Sequence, residues 1–240
     1  IQQLVQRGVL EVMVDPSRAL FDDEKSPAQA ATIPGATALG TPVATRVSFE
    51  QEIGRAAALY DEAKVLQEKA FNELKAGRPI SVEPMRNLAG GMMDSIFRNQ
   101  DALMCVSRMR EKDAYLLEHS VNVSILMTVL ARHLKIDEKK VHLLATGALL
   151  HDIGKILVPD DILNKPGKLT PEEFSQMKAH VAHGVTVLRD TPGLDPLSLE
   201  TVAQHHERLD GNGYPNKLVA EQISQAGRMI AIVDTYDAIT

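Results

Sequence analysis

The 240 residues are 44% hydrophobic but only 4% aromatic, with no tryptophan, so one or two domains are expected, with a core of Leu, Val, Ile, Ala and Met. That composition favours helices over a β-sandwich. A net charge of −6 gives no electrostatic case for binding duplex nucleic acid, and the single cysteine, Cys105, excludes both a disulfide framework and a cysteine-based zinc cluster. No stretch has the length of a membrane span and no signal peptide is visible, so a cytoplasmic protein is expected. The chain opens without Met and stops at Thr240 inside a helical pattern, so both ends read as cut.

In chain order, residues 1–15 read as a short α/β piece, its strand running from Val9 to Asp15, and resemble the tail of an N-terminal accessory domain, which implies a remnant of one. Residues 16–44, with four prolines and many Ala, Thr and Ser, read as a linker. Residues 45–80 hold an amphipathic connecting helix: Phe49, Ile53, Ala56, Tyr60, Ala63, Leu66, Ala70, Phe71 and Leu74 recur at helical steps. It is expected to pack on its own domain; the alternative is a dimerising or signal-transmitting helix, giving a homodimer. Residues 82–240 are helical to the end. Gly90-Gly91 is expected to bend the first of these helices, Asp137 to cap the one that follows Leu134, and Val158 to Leu169 to form a loop. Thr170-Pro171-Glu172-Glu173 carries the signature of a helix start.

The stretch that organises the chain is Leu149 to Lys155. An apolar run from Val141 to Leu150 ends in His151-Asp152, and Gly154 reads as a helix stop. A carboxylate at the inner end of a buried helix needs a compensating partner, and a metal supplies one. Adjacent helical residues point about 100° apart, so an adjacent pair serves one metal site best at a helix end. His151-Asp152 and His205-His206 both meet that condition. The candidate ligands are His119, His151, Asp152, His180, His205, His206 and Asp234. These exceed what one tetrahedral ion takes and suit two ions bridged by Asp152. His133 and His142 read as packing or solvent-facing residues. His183 competes with His180, and spacing alone does not choose between them.

These blocks resemble an HD-GYP domain, a bacterial subgroup of the HD phosphohydrolases. The resemblance rests on His119-Ser120-Val121-Asn122-Val123, His151-Asp152-Ile153-Gly154-Lys155, His180 with Gly184, His205-His206-Glu207-Arg208-Leu209-Asp210-Gly211-Asn212-Gly213-Tyr214-Pro215 and Asp234-Thr235-Tyr236-Asp237-Ala238, in the family's order. It implies a mainly α, HD-type helical bundle with a bimetal centre that hydrolyses cyclic di-GMP. It assigns His119, His151, Asp152 and Asp234 to one metal, and Asp152, His180, His205 and His206 to the other. It chooses His180 over His183. Tyr115 stands where some members carry a glutamate for a third metal, which implies two ions here. Lys155 matches the lysine that faces the phosphate. Gly213-Tyr214-Pro215 matches the loop tied to partner signalling domains and to the substrate mouth, so Gly213 and Tyr214 are implied in substrate binding. Basic residues that hold the substrate phosphate in the family would fall beyond Thr240.

A phosphodiester resists neutral water, and two metals answer this by supplying a bridging hydroxide and polarising the phosphoryl oxygens. An all-His/Asp ligand set suits Fe or Mn. Lys155 is placed to steady transition-state charge. Two alternatives stand beside this: a module that binds cyclic di-GMP or a protein partner without turnover, and a one-metal HD nucleotidase, against which His180, His205 and His206 argue.

Overall fold

The computed structural model describes residues 46–109 and 115–240. The expected strand and linker of residues 1–44 lie outside the described residues. Among the described residues eight α-helices follow one another: α1 Phe49–Lys75, α2 Glu83–Ser107, α3 Tyr115–His133, α4 Glu138–Leu150, α5 Asp160–Leu163, α6 Pro171–Arg189, α7 Pro196–Gln204 and α8 Gln225–Ile239. Two 3₁₀ turns, Ile153–Leu157 and Ala220–Gln222, lie between them. Among the described residues there is no strand, only an isolated bridge between Asp210 and Val219. The expected mainly α, HD-type bundle is therefore what the described residues form.

Helix starts follow the sequence signals. Ser48, Asp137, Thr170, Asp195 and Ser224 each cap a helix by accepting a backbone N–H through the side chain. Thr170 and Glu173 complete the capping box that begins α6. Three apolar clusters follow. Ala56, Tyr60 and Ala63 of α1 pack with Leu88, Met92 and Ile96 of α2, Val121 and Ile125 of α3, and Leu149 of α4. Val123 and Met127 of α3 meet Val141 and Leu144 of α4 and Met229, Ile230 and Val233 of α8. Phe71, Leu150, Ile153, Leu188 and Val202 fill the third. Because α3 serves two of these clusters and α4 all three, both helices are largely buried. The site residues emerge from their ends.

Four local expectations change. The connecting helix spends its apolar face on its own domain, but its buried side also includes Glu52 and Gln67, while Phe49 is exposed. Glu52 is buried because both its oxygens accept from Arg98, at 2.9 and 2.6 Å. The break in α2 falls at Asn99 rather than at Gly90-Gly91: Asn99 is extended (φ −158°, ψ 102°). Its Nδ2 donates to the Val47 carbonyl at 3.0 Å and its Oδ1 accepts from the Asp101 N–H at 3.1 Å, so it restarts the helix as a cap. The stretch taken as a loop from Val158 contains α5. The helical pattern of Glu221 to Thr240, expected as one last helix, divides: Ala220–Gln222 forms a separate 3₁₀ turn and the helix begins at Gln225.

Candidate metal centre

His151 and His205 are the C-terminal caps of α4 and α7. The last turn of a helix leaves carbonyls without intrahelical partners. Each of these histidines fills one such vacancy with its own ring: Nδ1–H of His151 donates to the Ala148 carbonyl and Nδ1–H of His205 to the Val202 carbonyl, both at 2.7 Å. His180, inside α6, does the same to Met177 at 2.7 Å. His119, on α3, donates Nδ1–H to Asp237 Oδ2 at 2.7 Å. In His151, His180 and His205 the Nδ1–H bond leaves the Nε2 lone pair toward the centre; the Nε2 of His119 faces Asp234 Oδ1 at 2.9 Å. Fixing the tautomer through the far nitrogen is how metal-ligating imidazoles are commonly oriented.

Asp152 lies between the rings and is buried. Its Oδ2 is 3.3 Å from His151 Nε2 and 3.7 Å from His119 Nε2; its Oδ1 is 3.4 Å from His180 Nε2 and 3.8 Å from His205 Nε2. One carboxylate thus divides its oxygens between two groups of imidazoles. Asp234 closes the other side, with Oδ1 2.9 Å from His119 Nε2 and 3.8 Å from His151 Nε2, and Oδ2 3.7 Å from His206 Nδ1. Donor atoms of His119, His151 and Asp152 lie within 4.8 Å of one another, as do those of His180, His205 and His206. All seven residues expected from the sequence are brought together. His183 is not among them, and His142 donates Nε2–H to the Arg86 carbonyl at 2.6 Å as a packing residue.

The donor set fits a metal on its own chemistry. His151 Nε2 and Asp152 Oδ1 are buried and have no hydrogen-bond partner. Such atoms are costly to bury unpaired, and a cation between them is the partner they lack. Burial pushes the Asp152 carboxyl up, but Lys155 and His151 outweigh it and hold it well below the carboxylate range. Asp234 is likewise held low by its His119 hydrogen bond against the effect of burial. Burial keeps His180, His205 and His206 neutral, His206 down to about 4. His119 goes the other way: despite burial, Asp234 and Asp237 raise it to about 9.

Gly154 is no helix stop. It sits inside the 3₁₀ turn, and a Cβ there would come 2.0 Å from the His180 carbonyl oxygen and 2.5 Å from Gly184 N. The glycine is required by close approach of two backbones. Gly184 supplies the other half of that contact, as its spacing from His180 suggested. Lys155, on the same turn, donates to Asp152 Oδ2 at 2.6 Å.

Two positioning residues were not singled out from the sequence. Asp237, one turn beyond Asp234, orients His119. Glu207 is buried beside His205-His206 and accepts the N–H groups of Asn216 (2.7 Å) and Leu218 (2.9 Å), pinning the far side of the Gly213-Tyr214-Pro215 loop. Gly213 lies where a Cβ would be 2.6 Å from Glu207 Cα, so the loop backbone rests directly on the histidine pair's own strand of chain. That contact brings the Tyr214 ring to 4.6 Å from the His206 ring.

Fold and donor set together define a helical-bundle protein with a two-sided His/Asp cluster that could hold metal ions. The comparisons make the class specific. The HD domain profile matches residues 104–240, and the profile of a domain of unknown function (DUF3391) matches residues 1–85. A cyclic di-GMP phosphodiesterase of Pseudomonas aeruginosa is 39% identical over 240 residues, all of this chain and 58% of that protein. A cyclic di-GMP phosphodiesterase of Thermotoga maritima is 38% identical over 61% of this chain and 39% of its own length. A 3′3′-cGAMP-specific phosphodiesterase of Vibrio cholerae is 39% identical over 55% of this chain and 25% of its own length. Among solved structures, an HDG"Y"P protein from Bdellovibrio bacteriovorus superposes with a TM-score of 0.65 at 25% identity, covering 78% of this chain and 65% of that one. The chain belongs to the HD domain family and is of the HD-GYP type. It spans little more than half the length of the Pseudomonas relative, and less of the other two curated relatives. Among the described residues no helix is long and apolar enough to cross a membrane.

Proposed function

We propose that this chain hydrolyses the phosphodiester bonds of cyclic di-GMP with two divalent ions, Fe or Mn, held across Asp152. The observation that carries the reading is the division of Asp152: one oxygen faces His119 and His151, the other His180 and His205. His119, His151, Asp152 and Asp234 would hold one ion, and Asp152, His180, His205 and His206 the other. When bound, such a pair lowers the pKa of water and neutralises phosphoryl charge. The chain's own residues do the rest. The hydrogen bonds at Nδ1 keep the ligands in one tautomer and one orientation. Lys155, whose ammonium already meets Asp152, reaches a phosphoryl oxygen or the leaving oxygen and steadies charge there. Gly213 lets the loop bring Tyr214 over His206 at the mouth, where a nucleotide enters.

Names of the relatives support a cyclic dinucleotide, and two kinds are named among them. The test is therefore a substrate pair. The full chain, loaded anaerobically with Fe or Mn, is given cyclic di-GMP and 3′3′-cGAMP, and products are separated by chromatography into linear dinucleotide and mononucleotide. Turnover of cyclic di-GMP is expected. Binding of both ions and of cyclic di-GMP with no cleavage would replace the enzyme by a receptor. Preference for 3′3′-cGAMP would keep the chemistry and change the substrate.

A further inference from the structure

Two of the chain's few aromatic residues stand together beside the centre. Phe174, in the first turn of α6, is 48% exposed. It meets Tyr214 edge to face, ring centroids 6.5 Å apart at 83°. Tyr214 in turn lies against His206. Lys178, one turn after Phe174, holds its ammonium 5.1 Å from the Phe174 centroid and 5.9 Å from the Tyr214 centroid. A singly exposed phenylalanine is ordinary. This one forms a right-angled corner with a ring that reaches the ligand cluster, and a cation faces both rings.

We infer that Phe174, Tyr214 and Lys178 form a stacking corner for one purine base of the cyclic dinucleotide. Phe174 and Lys178 then set affinity and base preference. The inference rests on the function proposed above. A purine offers a π-face to Phe174, and aromatic stacking of a base is tolerant of which base it is. Purine-specific recognition comes from the edge: guanine presents O6 and N7 acceptors, to which an ammonium donates, whereas adenine puts a donor at N6. Lys178 is the group placed to read that difference. Since Tyr214 links the corner to His206, a base seated there keeps its phosphate toward Asp152.

A plainer role for Phe174 is a hydrophobic staple, since it is the fourth residue of α6 and Leu169 precedes the Thr170 cap. A staple needs apolar bulk; a stacking corner needs a ring. Phe174→Leu and Phe174→Tyr separate the two. On cyclic di-GMP, Phe174→Leu is expected to raise KM and Kd about tenfold. Its kcat should stay within about twofold of wild type. Phe174→Tyr should match wild type. Lys178→Gln should narrow the preference for guanine over adenine between cyclic di-GMP and 3′3′-cGAMP. An analogue lacking one base should weaken wild type by about the same tenfold and Phe174→Leu no further. If Phe174→Leu matches wild type in KM and Kd, the corner is a staple and the inference falls while the proposed function stands. If wild type binds cyclic di-GMP without cleaving it, the Kd series decides the inference alone. If wild type neither binds nor cleaves, both fall.

Discussion

On one side of Asp152 stand His119, His151 and Asp234; on the other stand His180, His205 and His206. The same chemistry is held in two ways. His119 sits between two carboxylates, 2.9 Å from Asp234 and 2.7 Å from Asp237, and is raised to about 9. The His180, His205 and His206 rings have mainly one another for company, and burial keeps them neutral. Metal binding requires neutral imidazole. To hold the proposed ion, His119 would therefore have to give up a proton, whereas the rings of the second group are already neutral at neutral pH. Their supports differ too. His119 is oriented by a side chain, while His151, His180 and His205 are oriented by backbone carbonyls that no substitution removes.

The comparison breaks most completely at the shared residue. Asp152→Ala is expected to lose both ions and more than the ~10²–10³ in rate that one electrostatic donor is worth. Metal analysis with a turnover assay checks this, and full metal content would end the bridging assignment. Next comes the second group alone. His180→Ala should abolish turnover and lower metal content to about one ion, while His183→Ala keeps most activity, because only His180 reaches Asp152, at 3.4 Å. Reversed behaviour of the two variants would show that α6 is placed wrongly. Asp237→Asn sharpens the contrast by touching the first group only. It should weaken one ion about 10- to 100-fold and leave the other unchanged, read as two separated steps in a metal titration. Equal weakening of both would deny the two groups their independence.

The smallest effect is in the metal-free protein. His206 titrates near 4 when folded, below the ordinary 6.5, so between these values the unfolded chain binds the extra proton and stability falls as pH drops through 6.5. His119, raised to about 9, contributes stability fully present below 6.5 and lost as pH rises through 9. Thermal melts should therefore peak near neutral pH and decline on either side by about 5 °C. His206→Gln should flatten only the acid limb, and a profile it leaves unchanged would place the acid loss elsewhere.

The ligand residues were legible in the sequence because each block announces itself locally. His151-Asp152 and His205-His206 are adjacent pairs, and adjacency demanded helix ends, which is where both fall. Asp237 and Glu207 were harder. A carboxylate one turn past Asp234 looks like any solvated acid until α3 and α8 are packed, and the N–H groups that Glu207 holds belong to a loop it does not adjoin in sequence. Gly154 was read as a left-handed stop because that is the local meaning of a glycine after a helix; its real constraint is a carbonyl 26 positions away. The same holds for Asn99, whose partner is Val47. Local chemistry is written in the chain, and close approach between distant backbones is not.

The contact of Gly154 with His180 has a consequence for how such a centre changes over time. His151 and Asp152 arrive from the end of α4, immediately before the 3₁₀ turn, and His180 arrives from α6. At Gly154 the turn and the helix meet peptide against peptide. The gap across the centre is a fixed gauge. On the proposed function, exchanging single ligands would alter which ion is preferred while the span offered to a phosphodiester stays the same. Metal preference and substrate reach would thereby be uncoupled.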